Sequence, residues 1–493
     1  MEKVKTKAIV IGAGIAGIAT SIRLAVKGYD VLVLEKNSYP GGKLSEITLG
    51  GYRFDAGPSL FTMPEYVEEL FELAGKKTAD YFDYDQHDTC CHYFWNDGTF
   101  LKAHSDHKKI SDEIDTVFPK SGELFLKKLE KAAFINNQIG DLFLKKSLHD
   151  VRKFLNLKTL KAFRHIFKFD LHTSFHQSNK NDVKHPKLVQ LFDRFATYNG
   201  SNPYKTPGIM SIIPHYEHNV GTFFPKKGMV SITTSLVQLA ESLGVTFEYN
   251  SFVEEIIVEH SKIIGVKTAQ KIVKAPVVVS NMDVFFTYRH LLPTQKAPEK
   301  IVRQERSSSA IIFYWGIKKE FPKLDLHNIF FSTDYKAEFD SIFGKKTVYD
   351  DPTVYIHISS KCLPSDAPAG CESWFVMVNA PSNVGQDWDE MIKNSRENII
   401  EKLNKSLGIS LEDLIEEESI LDPRSIESKT ASYQGSLYGT SSNSMFAAFL
   451  RHPNYKSNLK GLYFVGGSAH PGGGIPLCLL SAKIATDYVP SIS

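Results

Sequence analysis

The chain has 493 residues, 42% of them hydrophobic and 23% charged, with a formal net charge of +2. These values exclude a disordered or collagen-like chain and leave no global electrostatic case for nucleic acid as a partner. The length exceeds one simple core, so several domains or one heavily inserted domain are expected. The 33 Phe and 21 Tyr imply a large apolar core or a large apolar cavity, and composition does not separate the two. The cysteines Cys90, Cys91, Cys362, Cys371 and Cys478 are odd in number and lack zinc-site spacing, which points to a reduced, intracellular protein.

Lys7–Ile11 is a short apolar run and predicts a buried strand. Ile15–Lys27 has helical spacing and stops at Gly28, and Tyr29–Leu34 predicts a second strand. The basic, apolar start is read as fold rather than as a leader, because the run carries a glycine fingerprint and continues into a strand closed by Glu35. Asp55 to Leu60 predicts a loop. Ser121 to Gln177 is mostly helical in pattern, with eight Lys and Arg from Lys145 to Lys168 among Leu, Phe and Ile. Two readings stay open there: surface helices with solvated lysines, or a peripheral membrane face. Val245 to Ser280 alternates and is rich in β-branched residues, predicting a meander that ends in a buried strand. Ala310–Ile317 and Ser373–Asn379 predict strands of a second sheet, Val384 to Leu407 an amphipathic helix, Leu462–Val465 a last buried strand and Pro476–Tyr488 the last helix. No apolar stretch approaches the roughly 20 residues that a spanning helix needs, so any membrane contact is peripheral.

Two glycine-rich turns stand at opposite ends of the chain. The first, Gly12-x-Gly14-x-x-Gly17, follows a strand and opens a helix. Its glycines permit a tight turn, close approach of backbone to a pyrophosphate, and close helix–strand packing. Glu35 closes the next strand, where a carboxylate accepts hydrogen bonds from ribose hydroxyls. Lys36 and then Pro40-Gly41-Gly42-Lys43 follow, a paired glycine and a base that point to FAD rather than a nicotinamide. The second turn is VGGSAHPGGGIPLCLLSAKIA, Val465 to Ala485. FAD binds extended, so a distant backbone-rich loop entering a helix suits its ribityl–flavin end.

Several quoted stretches resemble one family. VIGAGIAGIATSIRLAVKGYDVLVLEKNSYPGGKLSE, GYRFDAGPSLFTMP, YNGSNPYKTPGIMSIIPHYEHNVGTFFPKKGM, VVVSNMDVFFTYRHLLP and SLYGTSSNSMFAAFLRHPN are similar in form to motifs of the bacterial carotenoid (phytoene-type) desaturases in the amine-oxidase-like FAD superfamily. The resemblance implies an α/β fold. A Rossmann-like FAD-binding domain (mixed parallel sheet plus β-meander) would interleave with a substrate domain of β-sheet and helices and with a helical membrane-facing region. The expected FAD-binding parts are 1–80, 225–295 and 426–493, and the substrate parts 81–224 and 296–425, with the membrane-associated helices near 120–180.

The resemblance also implies site residues. Gly12, Gly14, Ile15, Ala16 and Gly17 would hold the pyrophosphate, and Glu35 and Lys36 would flank the adenosine ribose. Gly42 and Lys43 match the basic double-glycine segment. Val253 matches the backbone that meets the adenine. Gly57, Pro58 and Ser59 match a loop lining the flavin, and Gly466, Gly467, Ser468, Ile475 and Pro476 match the C-terminal flavin loop. No metal is implied.

Two departures bear on the substrate. HPGGGIPLCLLS stands where phytoene desaturases resemble HPGAGIPGV, and Lys227 stands where a glycine is usual. The loop variant is similar in type to the 1'-hydroxycarotenoid 3,4-desaturases, and Leu477 to Leu480 are expected to shape the cavity beside the flavin. The implied reaction removes hydride and proton from adjacent carbons of an apolar, membrane-dissolved carotenoid. It implies a monotopic enzyme on the cytoplasmic side of a bilayer, docked through 142–169, with oxygen or a quinone as electron acceptor. No catalytic base is assigned: His215, Glu217, His218 and His470 are candidates, each with a structural alternative, and Asp283 marks the end of the meander near the adenosine. The alternatives are a phytoene desaturase, a carotenoid isomerase or saturase, and a non-catalytic lipid-binding escort, against which the intact glycine motifs argue.

Overall fold

The computed structural model describes residues 6–140, 144–147 and 169–492. Two sheets organise the chain. The first is five-stranded and wholly parallel, in the order Leu462–Phe464, Val277–Ser280, Lys7–Ile11, Asp30–Leu34, Thr246–Glu248. Its central strands are apolar and almost wholly buried, as strands covered on both faces must be. Helices Ile15–Val26, Val230–Ser242 and Ile475–Asp487 pack together on one face. The three-stranded antiparallel meander Val253–Glu259, Lys262–Thr268, Ile272–Lys274 covers the other.

Thr246–Glu248 differs from its expected place. It follows the Val230–Ser242 helix as a crossover and pairs in parallel with Leu32–Leu34. Glu35 N donates to Glu248 O at 2.9 Å. The meander proper begins only at Val253.

The second sheet is seven-stranded: Ile415–Leu421, Ser309–Ile317, Glu372–Ala380, Val354–Ile358, His327–Phe330, Thr89–Phe94, Phe100–His104. Alternation assigns its two faces. Ile311, Phe313, Trp315 and Ile317 pack with Trp374, Val376 and Val378 beneath the Trp388–Leu407 helix. That helix starts on Asp387, which accepts from Glu390 N, and ends at left-handed Gly408. Ile312, Tyr314, Phe375 and Met377 point the other way and line a cavity. A hairpin, Glu46–Leu49 with Tyr52–Asp55, leans Tyr52 and Phe54 on this face.

The segment proposed for membrane docking, 142–169, lies outside the described residues apart from Leu144–Ser147 and Phe169. Phe169 is buried with Ile135, Ile139 and Ile209. No helix among the described residues is long and apolar enough to cross a membrane.

Candidate functional site

The first glycine turn is built by sterics. Gly12 sits at φ +94°, and a Cβ on Gly17 would lie 2.1 Å from Gly12 O. The Ile15–Val26 helix therefore meets the Lys7–Ile11 strand only through a residue without a side chain. The helix begins at Gly14 with no side-chain cap and no acid in its first turn. Its leading N–H groups are left for an anion. Gly41 N donates to Ala13 O at 2.8 Å, which brings the Gly41–Gly42 turn against Gly14. Buried Glu35 accepts from Ala13 N at 2.7 Å and from Asn37 N at 2.9 Å, and each oxygen keeps a further lone pair.

The C-terminal turn has the same design. The Ile475–Asp487 helix begins at Gly474, again with no side-chain cap, and has Pro476 in its first turn. Both uncapped helix starts open on one cavity of about 810 Å³. All the expected cofactor residues line this cavity except Gly17, which is held in the helix–strand contact. The two turns also approach one side chain: a Cβ on Gly466 would lie 2.7 Å from Asn281 Oδ1, and one on Gly14 would lie 2.6 Å from Asn281 Nδ2. Asn281, in SNMD, thus lies between the two motifs, and it went unassigned in the sequence.

Two cations tie the segment 436–439 into the site. Lys43 Nζ donates to Ser436 O at 3.0 Å and Leu437 O at 2.8 Å. Arg451 Nη1 donates to Tyr438 O at 2.9 Å and Gly467 O at 3.3 Å. Burial pushes the Lys43 ammonium down to about 8 and the Arg451 guanidinium down to about 10, and it pushes the Cys478 thiol up to about 11. Asp283 pairs with Arg306, and Val284 N donates to Ser468 Oγ at 2.9 Å. Asp283 therefore stands with the C-terminal loop. Gly57 lets its loop close on Lys43, whose carbonyl would lie 1.9 Å from an added Cβ. Ser59 Oγ lies 2.9 Å from Tyr355 OH, which lies 2.8 Å from His327 Nδ1.

The far half of the cavity is mostly apolar, with Ile139, Ile209, Ile213, Ile312, Phe375 and Met377 in its wall. One buried ionic group interrupts it. Arg194 Nη2 donates to Glu217 Oε1 at 2.9 Å and to Tyr93 OH at 2.8 Å, and Arg194 Nη1 donates to Tyr198 OH at 2.9 Å. Tyr198 OH donates to Glu217 Oε2. Glu217 lies on a π-helical turn, Tyr216–Val220, a local irregularity that often re-aims a side chain at a site.

Of the four candidate bases, Glu217 and His470 line the cavity and His215 and His218 do not. His218 is packed between Phe125 and Phe195, and burial pushes it down to about 4, so it is neutral at pH 7. His215 Nδ1 lies 2.9 Å from Asn219 Nδ2, and His470 Nε2 lies 2.9 Å from Lys146 O. Two substrate arguments from the sequence change. Lys227 is exposed in a turn away from the cavity. Leu477 and Cys478 line the cavity, whereas Leu479 and Leu480 are core residues.

The family profile described as "Flavin containing amine oxidoreductase" matches residues 15–490. The chain belongs to this family. It is 51% identical over 485 residues to the 1-hydroxycarotenoid 3,4-desaturase of Flavobacterium sp. (strain P99-3), covering 98% of this chain and 99% of that one. Phytoene desaturase of Fusarium fujikuroi is more distant, at 30% identity over 515 residues, covering 99% of this chain and 90% of that one. Among solved structures, an oxidoreductase from Methanosarcina mazei superposes with a TM-score of 0.63 at 16% identity, covering 98% of this chain and 100% of that one. That likeness shows a shared fold.

Proposed function

We propose that the chain is an FAD-dependent carotenoid desaturase acting as a 1'-hydroxycarotenoid 3,4-desaturase. The observation that carries this is the 51% identity, end to end, with the flavobacterial enzyme. The cavity supports it by joining both glycine turns to an apolar chamber. The residues fit FAD: two uncapped helix starts suit its anionic and polar groups, and Glu35 suits its ribose. Gly12, Gly14, Ile15, Ala16 and Gly17 would take the pyrophosphate, with Lys36 and Val253 along the adenosine half and Gly42 and Lys43 beside the phosphates and ribityl chain. Gly57, Pro58, Ser59, Gly466, Gly467, Ser468, Ile475 and Pro476 would hold the flavin half.

Bound FAD would supply the acceptor for a hydride from one carbon, and the proton from the adjacent carbon would pass to water or a weak base, leaving a double bond between the two carbons. The chain's own contribution is to orient the polyene and exclude water. Ile312, Phe375 and Met377 form one wall and Ile139, Ile209 and Ile213 another. Arg194 and Tyr198 hold the Glu217 carboxylate in place in this wall.

The substrate enters from a bilayer and the reduced cofactor is reoxidised by oxygen or a membrane quinone. The short Met445–Phe449 helix supports this route. Met445 and Phe446 are 41% and 54% exposed, while Ala448 and Phe449 line the cavity. The test is product absorbance after incubation of the flavin-loaded enzyme with a 1'-hydroxylated monocyclic carotene and, separately, with phytoene. A red shift with the first alone supports the reading, and turnover of phytoene alone overturns it in favour of a phytoene desaturase.

A further inference from the structure

We infer that Asn199 is the residue that recognises the substrate's hydroxyl group and so sets specificity for a hydroxylated carotenoid. The inference rests on the desaturase reading above and deepens it. Asn199 lines the cavity and is only 6% exposed. Neither its Nδ2 nor its Oδ1 has a hydrogen-bond partner among the described residues. A buried amide left without partners costs on the order of 1–3 kcal/mol, and an apolar residue would serve better in a site built for a hydrocarbon. An alcohol supplies what is missing, since its O–H donates to Oδ1 and its oxygen accepts from Nδ2.

The position is suited to that contact. Asn199 closes the Arg194–Asn199 turn, and the left-handed residue Gly200 follows it. A Cβ on Gly200 would lie 2.9 Å from Tyr438 Cδ2, and one on Gly473 would lie 2.7 Å from Tyr438 Cα. One aromatic residue therefore spaces Asn199 from the C-terminal glycine loop. In a 1-hydroxycarotenoid the carbon bearing the hydroxyl is two bonds from the nearer carbon of the new 3,4 double bond. The hydroxyl must then lie close to the flavin end whenever the reacting carbons do. Arg194 and Glu217, also in the wall, bond to each other and to Tyr198.

The test compares Asn199→Leu with wild type, both flavin-loaded, on a 1'-hydroxylated monocyclic carotene and on the same carotene without the hydroxyl. The wild type is expected to prefer the hydroxylated substrate. The variant is expected to lower the ratio of kcat/KM values by about ten- to a hundredfold, mostly through KM for the alcohol. Asn199→Ala removes the same groups without apolar bulk and carries the test if the leucine variant does not hold flavin. An unchanged ratio, an equal loss on both substrates, or a wild type without preference overturns the assignment and leaves the desaturase reading standing. A wild type that binds flavin and turns over neither carotene refutes the desaturase reading, and the assignment falls with it.

Discussion

Arg194→Leu tests whether the ionic group in the cavity wall is held by charge pairing. Arg194 Nη2 and Glu217 Oε1 are 2.9 Å apart, with side chains 9% and 2% exposed. At an effective dielectric of about 20, that attraction is worth about 6 kcal/mol. The substitution removes it and leaves a carboxylate with only Tyr198 as donor. After relaxation, the expected loss of stability is about 3–5 kcal/mol. Glu217→Gln in the same background removes the stranded charge, so the double variant should recover at least about 2 kcal/mol over Arg194→Leu alone. Urea unfolding followed by tryptophan fluorescence, compared between variants at one pH, reads these differences. A loss below about 1 kcal/mol, or a double variant that behaves as the sum of the singles, would refute the pairing as the source of stability.

Gly17→Ala should abolish flavin binding, because its Cβ would sit 2.1 Å from Gly12 O and part the first helix from its strand; flavin absorbance per chain of the purified variant measures it. Burial pushes His218 and His357 down to about 4 each, so between pH 6.5 and 4 the unfolded chain binds protons that the folded chain does not. Stability is then complete above about pH 6.5 and falls by about 3 kcal/mol per histidine as pH drops to 4. The thermal midpoint should fall over that window, and His218→Phe should flatten the slope. Met445→Ser with Phe446→Ser should weaken cosedimentation with anionic liposomes by about tenfold or more, since one buried Phe contributes about 1.5–3 kcal/mol. Flavin content should not change, and undiminished binding would place the membrane contact elsewhere.

Much of the parallel sheet was legible because its strands are short apolar runs bounded by glycine. Lys7–Ile11 is observed with the expected bounds, and the second strand starts one residue late, at Asp30. Ser309–Ile317 and Glu372–Ala380 pair along their whole length in the expected second sheet. Thr246–Glu248 was misplaced because its alternation fits a meander equally well, and only its partner at Leu32–Leu34 distinguishes the two. Lys227 looked like a substrate signal by position, yet it faces water. Arg194, Asn281 and Asn199 carried no motif of their own. Arg194 meets Glu217 across 23 residues, and Asn281 reaches Gly12 across 269.

By itself, the sequence determined where glycine was obligatory, since close approach of backbone and left-handed turns leave few other choices. It also determined which runs had to be buried, and so the flavin-type fold and the cofactor class. Tertiary structure brought the two glycine turns, expected from the sequence to serve one FAD, to one cavity. It also decided that Leu477 and Cys478, but not Leu479 and Leu480, face that cavity. The physical reason is that local sterics and hydrophobic period act within a few residues. The partners of a buried charge or amide are chosen by which distant segments packing brings together.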